Sequence, residues 1–189
     1  MKITIIGAGP AGLYFALLAK KHMPSHGIQV LEQNPEGATY GWGVVFSDIG
    51  LSFLQKADPD FYQEFIAHHE RCDYMEIVHQ SCHVQVHGNH FSRTSRIDML
   101  RVLQQACQRE GIQIHYEQRI EDVRKLAAEC DVLIAADGGN SAVRTQMAEH
   151  FRPRFTRRRN KFAWYGTHQR FHPVTLIFRD TPYGVFIAH

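Results

Sequence analysis

The sequence is poor in three things that would fix its class at once: net charge, paired cysteines and long apolar runs. Twenty-one Lys and Arg stand against nineteen Asp and Glu in 189 residues, a formal net charge of +2. So small an excess makes no global case for nucleic-acid binding. The four cysteines, Cys72, Cys82, Cys107 and Cys130, are scattered and form no Cys-x-x-Cys pair. That usage suits free thiols in a reducing cytoplasm. Only Ile3 to Ala19 is apolar over a long stretch, and it superficially resembles a secretory signal. Glycines and a proline in its middle, at turn spacing, fit a nucleotide loop better. No other stretch approaches the length of a membrane span, so a soluble protein is expected. Internal repeats and low-complexity segments are lacking too. The length allows a real core, with one domain or one and a half. Histidine is plentiful, at thirteen residues.

The most informative stretch is Ile5-Ile6-Gly7-Ala8-Gly9-Pro10-Ala11-Gly12, a strand running into a three-glycine turn that opens a helix. Gly7 allows the tight turn, Gly9 lets the backbone approach a pyrophosphate, and Gly12 lets helix and strand pack closely. Phosphates then sit on unpaired helix N–H groups. The context agrees: Lys2 to Ile6 is rich in β-branched residues, as a buried strand should be, and Leu13, Leu17, Leu18 and Ala19 make a strongly apolar helix. Gly27 to Glu32 supplies a second strand ending in an acid, at the roughly twenty-residue offset that a ribose contact requires. Glu32 would accept from two ribose hydroxyls and repel a 2′-phosphate, which favours FAD or NAD over NADP.

Farther along, Asn34-Pro35-Glu36-Gly37 is turn chemistry, leading into a loop, Tyr40 to Asp48, rich in glycine and aromatics. Asp58 caps a helix with Pro59 at its first position and Tyr62, Phe65, Ile66 and His69 on one face. Tyr74 to Val78 and His83 to His87 alternate with period two and read as an antiparallel pair. Ser95-Arg96-Ile97-Asp98 resembles a capping box before a helix carrying Met99, Leu100, Leu103, Ala106 and Cys107. Gly111 to Tyr116 is a strand, and Asp131 to Ala136 a continuous apolar strand of the kind buried on both faces. It ends at Asp137-Gly138-Gly139-Asn140-Ser141, followed by a helix with Val143 and Arg144. From Lys161 the chain changes character, with strands expected over Phe162 to Tyr165, Val174 to Phe178 and Gly184 to Ala188, the last two as a hairpin.

A nucleotide loop near the start together with an acid-glycine turn after a later strand resembles the single-component, FAD-carrying aromatic hydroxylases of the para-hydroxybenzoate hydroxylase type. The resemblance implies that Gly7, Gly9, Pro10, Ala11, Gly12 and Glu32 hold the ADP half of FAD. It further implies that Ala136 to Arg144 forms the second motif, with Asp137 and Gly138 at the flavin side and at the phosphates of the nicotinamide cofactor, and that Arg96 lies near FAD. Two stretches, Gly41 to Asp48 and Asn160 to Thr167, narrow this to the branch with salicylyl-CoA 5-hydroxylase, 2-aminobenzoyl-CoA monooxygenase/reductase and the violacein-pathway tryptophan-derivative hydroxylase. Members are about twice as long, so the chain resembles an N-terminal fragment. The implied architecture is α/β: a Rossmann-like FAD-binding domain at 1–72 and 92–152, with an interleaved, truncated antiparallel substrate-domain sheet at 73–91 and 160–189.

The implied reaction is hydroxylation of an aromatic substrate: salicylyl-CoA, aminobenzoyl-CoA or an indole. NADH or NADPH reduces FAD, and the reduced flavin captures O2 as a C4a-hydroperoxide. The cofactor carries the hard chemistry while the protein positions the ring and excludes water. On that reading Trp42, Val45 and Phe46 lie near the isoalloxazine, and Trp164, Tyr165 and Phe178 line the substrate side. Trp42, Phe46, Trp164 and Phe178 are the substrate residues and Val45 a cofactor residue; core filling is the plainer role for such aromatics. Phe178 falls where the para-hydroxybenzoate enzyme has a phenol-activating tyrosine, which would remove deprotonation by that position. Tyr165, His168 and His189 are the acid–base candidates, although a strand histidine or tyrosine is more often structural. Cys72, His79, Cys82, His83, His87 and His90 match no zinc spacing, so no metal is expected. The basic run Arg152, Arg154, Arg157, Arg158, Arg159 and Lys161 reads as a solvated linker or as a contact for CoA phosphates. The alternatives of another class are an inert FAD-binding fragment and an NAD-dependent dehydrogenase; for the latter no catalytic His or Tyr-Lys set follows the nucleotide domain.

Overall fold

A computed structural model describes residues 1–169, 171 and 173–189. The first half contains strand β1 (Lys2–Ile6), helix α1 (Pro10–His22), β2 (Gly27–Leu31), β3 (Gly43–Ser47), α2 (Asp48–Ala57), α3 (Pro59–Ile66), β4 (Glu70–His79) and β5 (Cys82–Ser95). The second contains α4 (Arg96–Arg109), β6 (Gln113–His115), α5 (Val123–Ala128), β7 (Val132–Ala135), α6 (Ala142–Gln146), α7 (Ala148–Phe151), β8 (Val174–Thr181) and β9 (Gly184–Ala188). They fall into two compact units, residues 1–40 with 99–162 and residues 41–98 with 163–189. No helix of the described residues is long and apolar enough to cross a membrane.

The first unit is built on a parallel sheet in the order β6-β2-β1-β7. Its centre is β1, where Ile5 lies between Val30 of β2 and Ile134 of β7. Ile3, Ile5 and Val30 are buried, as are Leu13, Ala16 and Leu17 of α1 and Leu103, Ala106 and Cys107 of α4. Each fully buried leucine stabilises the unit by about 1.5–3 kcal/mol. The Cys107 thiol donates to the Leu13 carbonyl at 3.3 Å, tying α4 to α1. A second apolar cluster joins Ile6, Val123 and Val143 to Leu126, Leu133 and Met147. Strand β7 was expected to be buried on both faces; it is half-buried, because in this chain it is an edge strand with β1 as its neighbour.

The second unit is a five-stranded sheet, β3-β5-β4-β8-β9, antiparallel except for the parallel pair of β4 and β8. The expected hairpin of β4 and β5 is present and longer than its alternating core. Strand β5 continues to Ser95 because its far half pairs with β3, Val45 opposite Arg93. The segment 40–48 was expected to be a loop; β-branched Val44 and Val45 with Phe46 form β3 instead, and Ser47 caps the unforeseen α2 by accepting from the Gly50 N–H at 3.2 Å. The pairing of β3 with β5 also places residues 41–72 in this unit, whereas the sequence reading drew them into the nucleotide-binding half. Asp58 caps α3, accepting from Phe61 N–H at 3.2 Å. Its buried side is Phe61 and Phe65, with Tyr62 and Ile66 half-buried. Phe162 to Tyr165, expected as a strand, has no regular structure, and all four residues are exposed. The hairpin of β8 and β9 is present, with only Pro182 and Tyr183 between the strands.

Candidate functional site

In the first unit the chain reverses after β1 at Gly7, whose φ of +103° is a left-handed conformation that glycine adopts without strain. The Gly7 N–H donates to the Leu31 carbonyl at 2.8 Å. A β-carbon at Gly7 would lie 2.4 Å from the Ala136 carbonyl oxygen, and one at Gly12 would lie 2.0 Å from the Gly7 carbonyl oxygen. A β-carbon at Gly9 would meet nothing within 4 Å. Two glycines are therefore demanded by the protein's own packing, and the third faces open space. Gly9 is also the N-cap of α1, where no side chain caps the helix, Pro10 follows, and the first turn carries no acid. No side chain of the helix's own first turn compensates its positive end, which is the chemistry of an anion site.

Glu32 follows β2 and is held rigidly. Its Oε2 accepts from the Ala8 N–H at 2.8 Å. Its Oε1 accepts from the Asn34 backbone N–H at 2.8 Å and from Asn34 Nδ2 at 2.7 Å. Tyr116 sits in the field of the same acid: burial first, then the Glu36 and Glu32 carboxylates, push its phenol up. Asn34 was legible only as a turn residue and Tyr116 only as a strand end, because neither belongs to a spacing motif.

The second motif is turned inward. Asp137 Oδ2 accepts from the N–H groups of Ala142 at 2.7 Å and Val143 at 3.2 Å, so this carboxylate caps α6. Ser141 Oγ accepts from the Arg144 N–H at 2.9 Å. The Arg144 guanidinium donates to the Gly139 carbonyl and lies over the Phe155 ring, 5.0 Å from its centroid. Gly138 has φ +79° and open space where a β-carbon would stand.

In the second unit the two stretches singled out for the narrower resemblance meet. A β-carbon on Gly166 would lie 3.3 Å from the Trp42 ring, and one on Gly41 would lie 4.0 Å from the Trp164 ring and 3.9 Å from Arg96 Cδ. The Arg96 N–H donates to the Trp42 carbonyl at 3.0 Å. The capping box forms beside them, with Asp98 N–H donating to Ser95 Oγ at 3.1 Å and that hydroxyl donating to Asp98 Oδ2 at 2.5 Å. Both tryptophans stay largely exposed.

The other expected residues are distributed differently. Phe46 is half-buried on β3, its ring 5.6 Å from those of both Phe65 and His69. His69, which no motif pointed to, shares a 2.9 Å hydrogen bond with Ser92 through Nδ1, and its Nε2 is buried with no partner among the described residues. Burial, with His68 adding to it, holds this imidazole below its ordinary pKa. Val45 is exposed on β3 and Phe178 half-buried on β8. Tyr165, His168 and His189 are exposed. Of the histidines weighed as metal ligands, His79 pairs with Asp180 at 2.9 Å and His83 with Glu76 at 3.2 Å. Among the described residues no three His, Cys, Asp or Glu side chains converge as a metal site would need. Arg152, Arg154, Arg157, Arg158, Arg159 and Lys161 are all exposed.

A family model described as lycopene cyclase protein matches residues 2–188. The chain belongs to that family. The similar curated proteins are named as a hydroxylase and monooxygenases. This lycopene cyclase family chain is 35% identical over its whole length to a salicyloyl-CoA 5-hydroxylase of a Streptomyces species, covering 36% of that protein. It is 33% identical over its whole length to protodeoxyviolaceinate monooxygenase of Chromobacterium violaceum, covering 51% of it. The chain thus spans about half or less of the length of these relatives. Among solved structures, 2-methyl-3-hydroxypyridine-5-carboxylic acid oxygenase shares the fold at a TM-score of 0.54 and 17% identity, over 61% of this chain and 31% of that one. The resemblance to FAD-dependent aromatic hydroxylases read from the two motifs is therefore borne out by the relatives, two of which belong to the branch that the motifs singled out.

Proposed function

We propose that the chain is the FAD-holding part of a cytoplasmic monooxygenase that hydroxylates an aromatic ring. The observation that carries the reading is the turn at Gly9, open to a ligand and placed at the N-terminus of a helix whose first turn carries no acid. A pyrophosphate needs both features: close approach to backbone and uncompensated N–H donors. Glu32 takes the ribose end, since its fixed carboxylate accepts from a hydroxyl and repels a 2′-phosphate. Pro10 and Ala11 shape the first turn, and the family resemblance adds Asp137, Gly138, Arg96 and Val45 as further cofactor residues. When bound, FAD supplies the redox chemistry with O2 that no amino-acid side chain can.

The ring then gains one oxygen atom of O2 while the other leaves as water; a hydride from NADH or NADPH brings two electrons and one proton, and a second proton from solvent closes the balance. Trp42, Phe46, Trp164 and Phe178 line the substrate side, where apolar rings exclude water and orient the ring. Tyr165, His168 and His189 are the groups able to hold or move a proton. The substrate is an aromatic acyl-CoA of the salicylyl or aminobenzoyl kind, or an indole, and the cations at 157–159 pair with CoA phosphates. The test is NADH or NADPH oxidation by the FAD-loaded chain with each substrate. Stimulation with one labelled oxygen from O2 in the product is expected; oxidation that none of them stimulates would contradict the substrate assignment.

A further inference from the structure

A carboxylate offers roughly four lone-pair positions. At Glu32 three are spent within the protein: Oε1 on the backbone and side-chain N–H groups of Asn34, and Oε2 on Ala8. One acceptor position remains, on Oε2. A ribose presents two hydroxyls, so Glu32 as positioned serves only one of them. The Asn34 side-chain amide lies at the same place, bonded to Glu32 through Nδ2 at 2.7 Å. That bond fixes the amide's orientation, because the flipped amide would set its oxygen against a carboxylate oxygen. Oδ1 is therefore directed away from Glu32, and the Tyr40 hydroxyl reaches it at only 3.4 Å. A primary amide of this kind keeps a second N–H and a further oxygen lone pair for a ligand.

We infer that Asn34 is a second ribose-binding residue: Glu32 accepts from one hydroxyl and the Asn34 amide takes the other. This rests on the nucleotide-binding reading above and deepens it. Asn34 thereby acts twice, contacting the ligand and, through its two N–H groups, holding the Glu32 carboxylate in place. The amide is also neutral, so the pair reads both hydroxyls without bringing a second negative charge toward the phosphates.

The experiment is displacement of bound FAD from the chain by ADP, 2′-deoxy-ADP and 3′-deoxy-ADP, in the unaltered protein, Asn34→Ala, Asn34→Ser and Glu32→Gln. The unaltered protein is expected to bind each deoxy analogue about tenfold more weakly than ADP, as for a lost hydrogen bond to a well-placed polar group. In Asn34→Ala the penalty for one analogue should vanish while the penalty for the other persists. Glu32→Gln should reduce the penalty that Asn34→Ala leaves. Asn34→Ser, which keeps a small turn-compatible side chain, gives the same readout should the alanine variant fold poorly. Ratios unchanged by either Asn34 variant would overturn the inference while leaving the cofactor reading intact, and so would simultaneous loss of both penalties, which would mean that Asn34 acts only through Glu32. An unaltered chain that takes up no FAD overturns the cofactor reading and this inference with it.

Discussion

The carbonyl oxygen of Gly7 stands 2.0 Å from the place where a β-carbon on Gly12 would be. No side chain fits there, and Gly7 is equally closed by the Ala136 backbone at 2.4 Å. Gly9, between them, has extended backbone angles that any residue adopts and open space in front of it. The three glycines of one motif thus divide into two that the fold needs and one that packing does not require, the one the proposed cofactor would use. Gly12→Ala and Gly7→Ala should destabilise the chain by several kcal/mol, roughly 3 or more, since backbone must move. Gly9→Val should leave the melting temperature within a few degrees and abolish FAD retention. Thermal unfolding with and without FAD checks both halves; equal destabilisation by all three would refute the division.

Asp137 caps α6 through two N–H groups. Asp137→Ala should cost about 1 kcal/mol, the usual worth of a lost cap. Asp137→Asn keeps an acceptor oxygen and should restore most of that stability. If flavin affinity falls in both variants while stability returns only in Asn, Asp137 also serves the cofactor through its charge; affinity that tracks stability would limit it to capping.

His69 carries a pH dependence with a definite sign. Its folded pKa is lowered by burial, and by His68, below the ordinary 6.5. The unfolded chain therefore takes up this proton first as pH falls. The stabilisation is complete above the unfolded pKa of about 6.5 and is lost as pH drops through it toward the folded value. The melting temperature should fall between about pH 7.5 and about pH 5, and His69→Phe should flatten that fall. An identical slope in the variant would remove His69 from the account.

The cysteines should react unequally. Cys82 is exposed, whereas Cys107 is buried with its thiol pushed up to about 12 by burial, with Glu110 adding to it. A thiol reagent at neutral pH should label Cys82 in the native chain and reach Cys72 and Cys107 only on unfolding. Prompt native labelling of Cys107 would contradict the packing of α4 against α1.

Much of the fold was readable because its signals are local. The parallel strands, the caps at Asp58 and Ser95, and the hairpin of β4 and β5 each follow from residues close in sequence. Strand β3 was not readable: Tyr40, Gly41, Trp42 and Gly43 look like loop, and only the distant partner β5 makes the next residues a strand. The same holds for the site. Glycine spacing betrayed the tight turn at Gly7, but the partnership of Glu32 with Asn34 is a matter of side-chain direction, which no spacing encodes. Phe162 to Tyr165 erred the other way, since a run of aromatics carries strand propensity and only pairing, absent there, realises it.

The central claim is that this chain holds FAD at the turn of Gly7, Gly9 and Gly12, and the most direct test is the visible absorption spectrum of the purified chain after addition of FAD and removal of the excess. Protein-bound flavin bands, lost in Gly9→Val with its fold intact, are the predicted result. A colourless protein that leaves all added FAD free would contradict the claim.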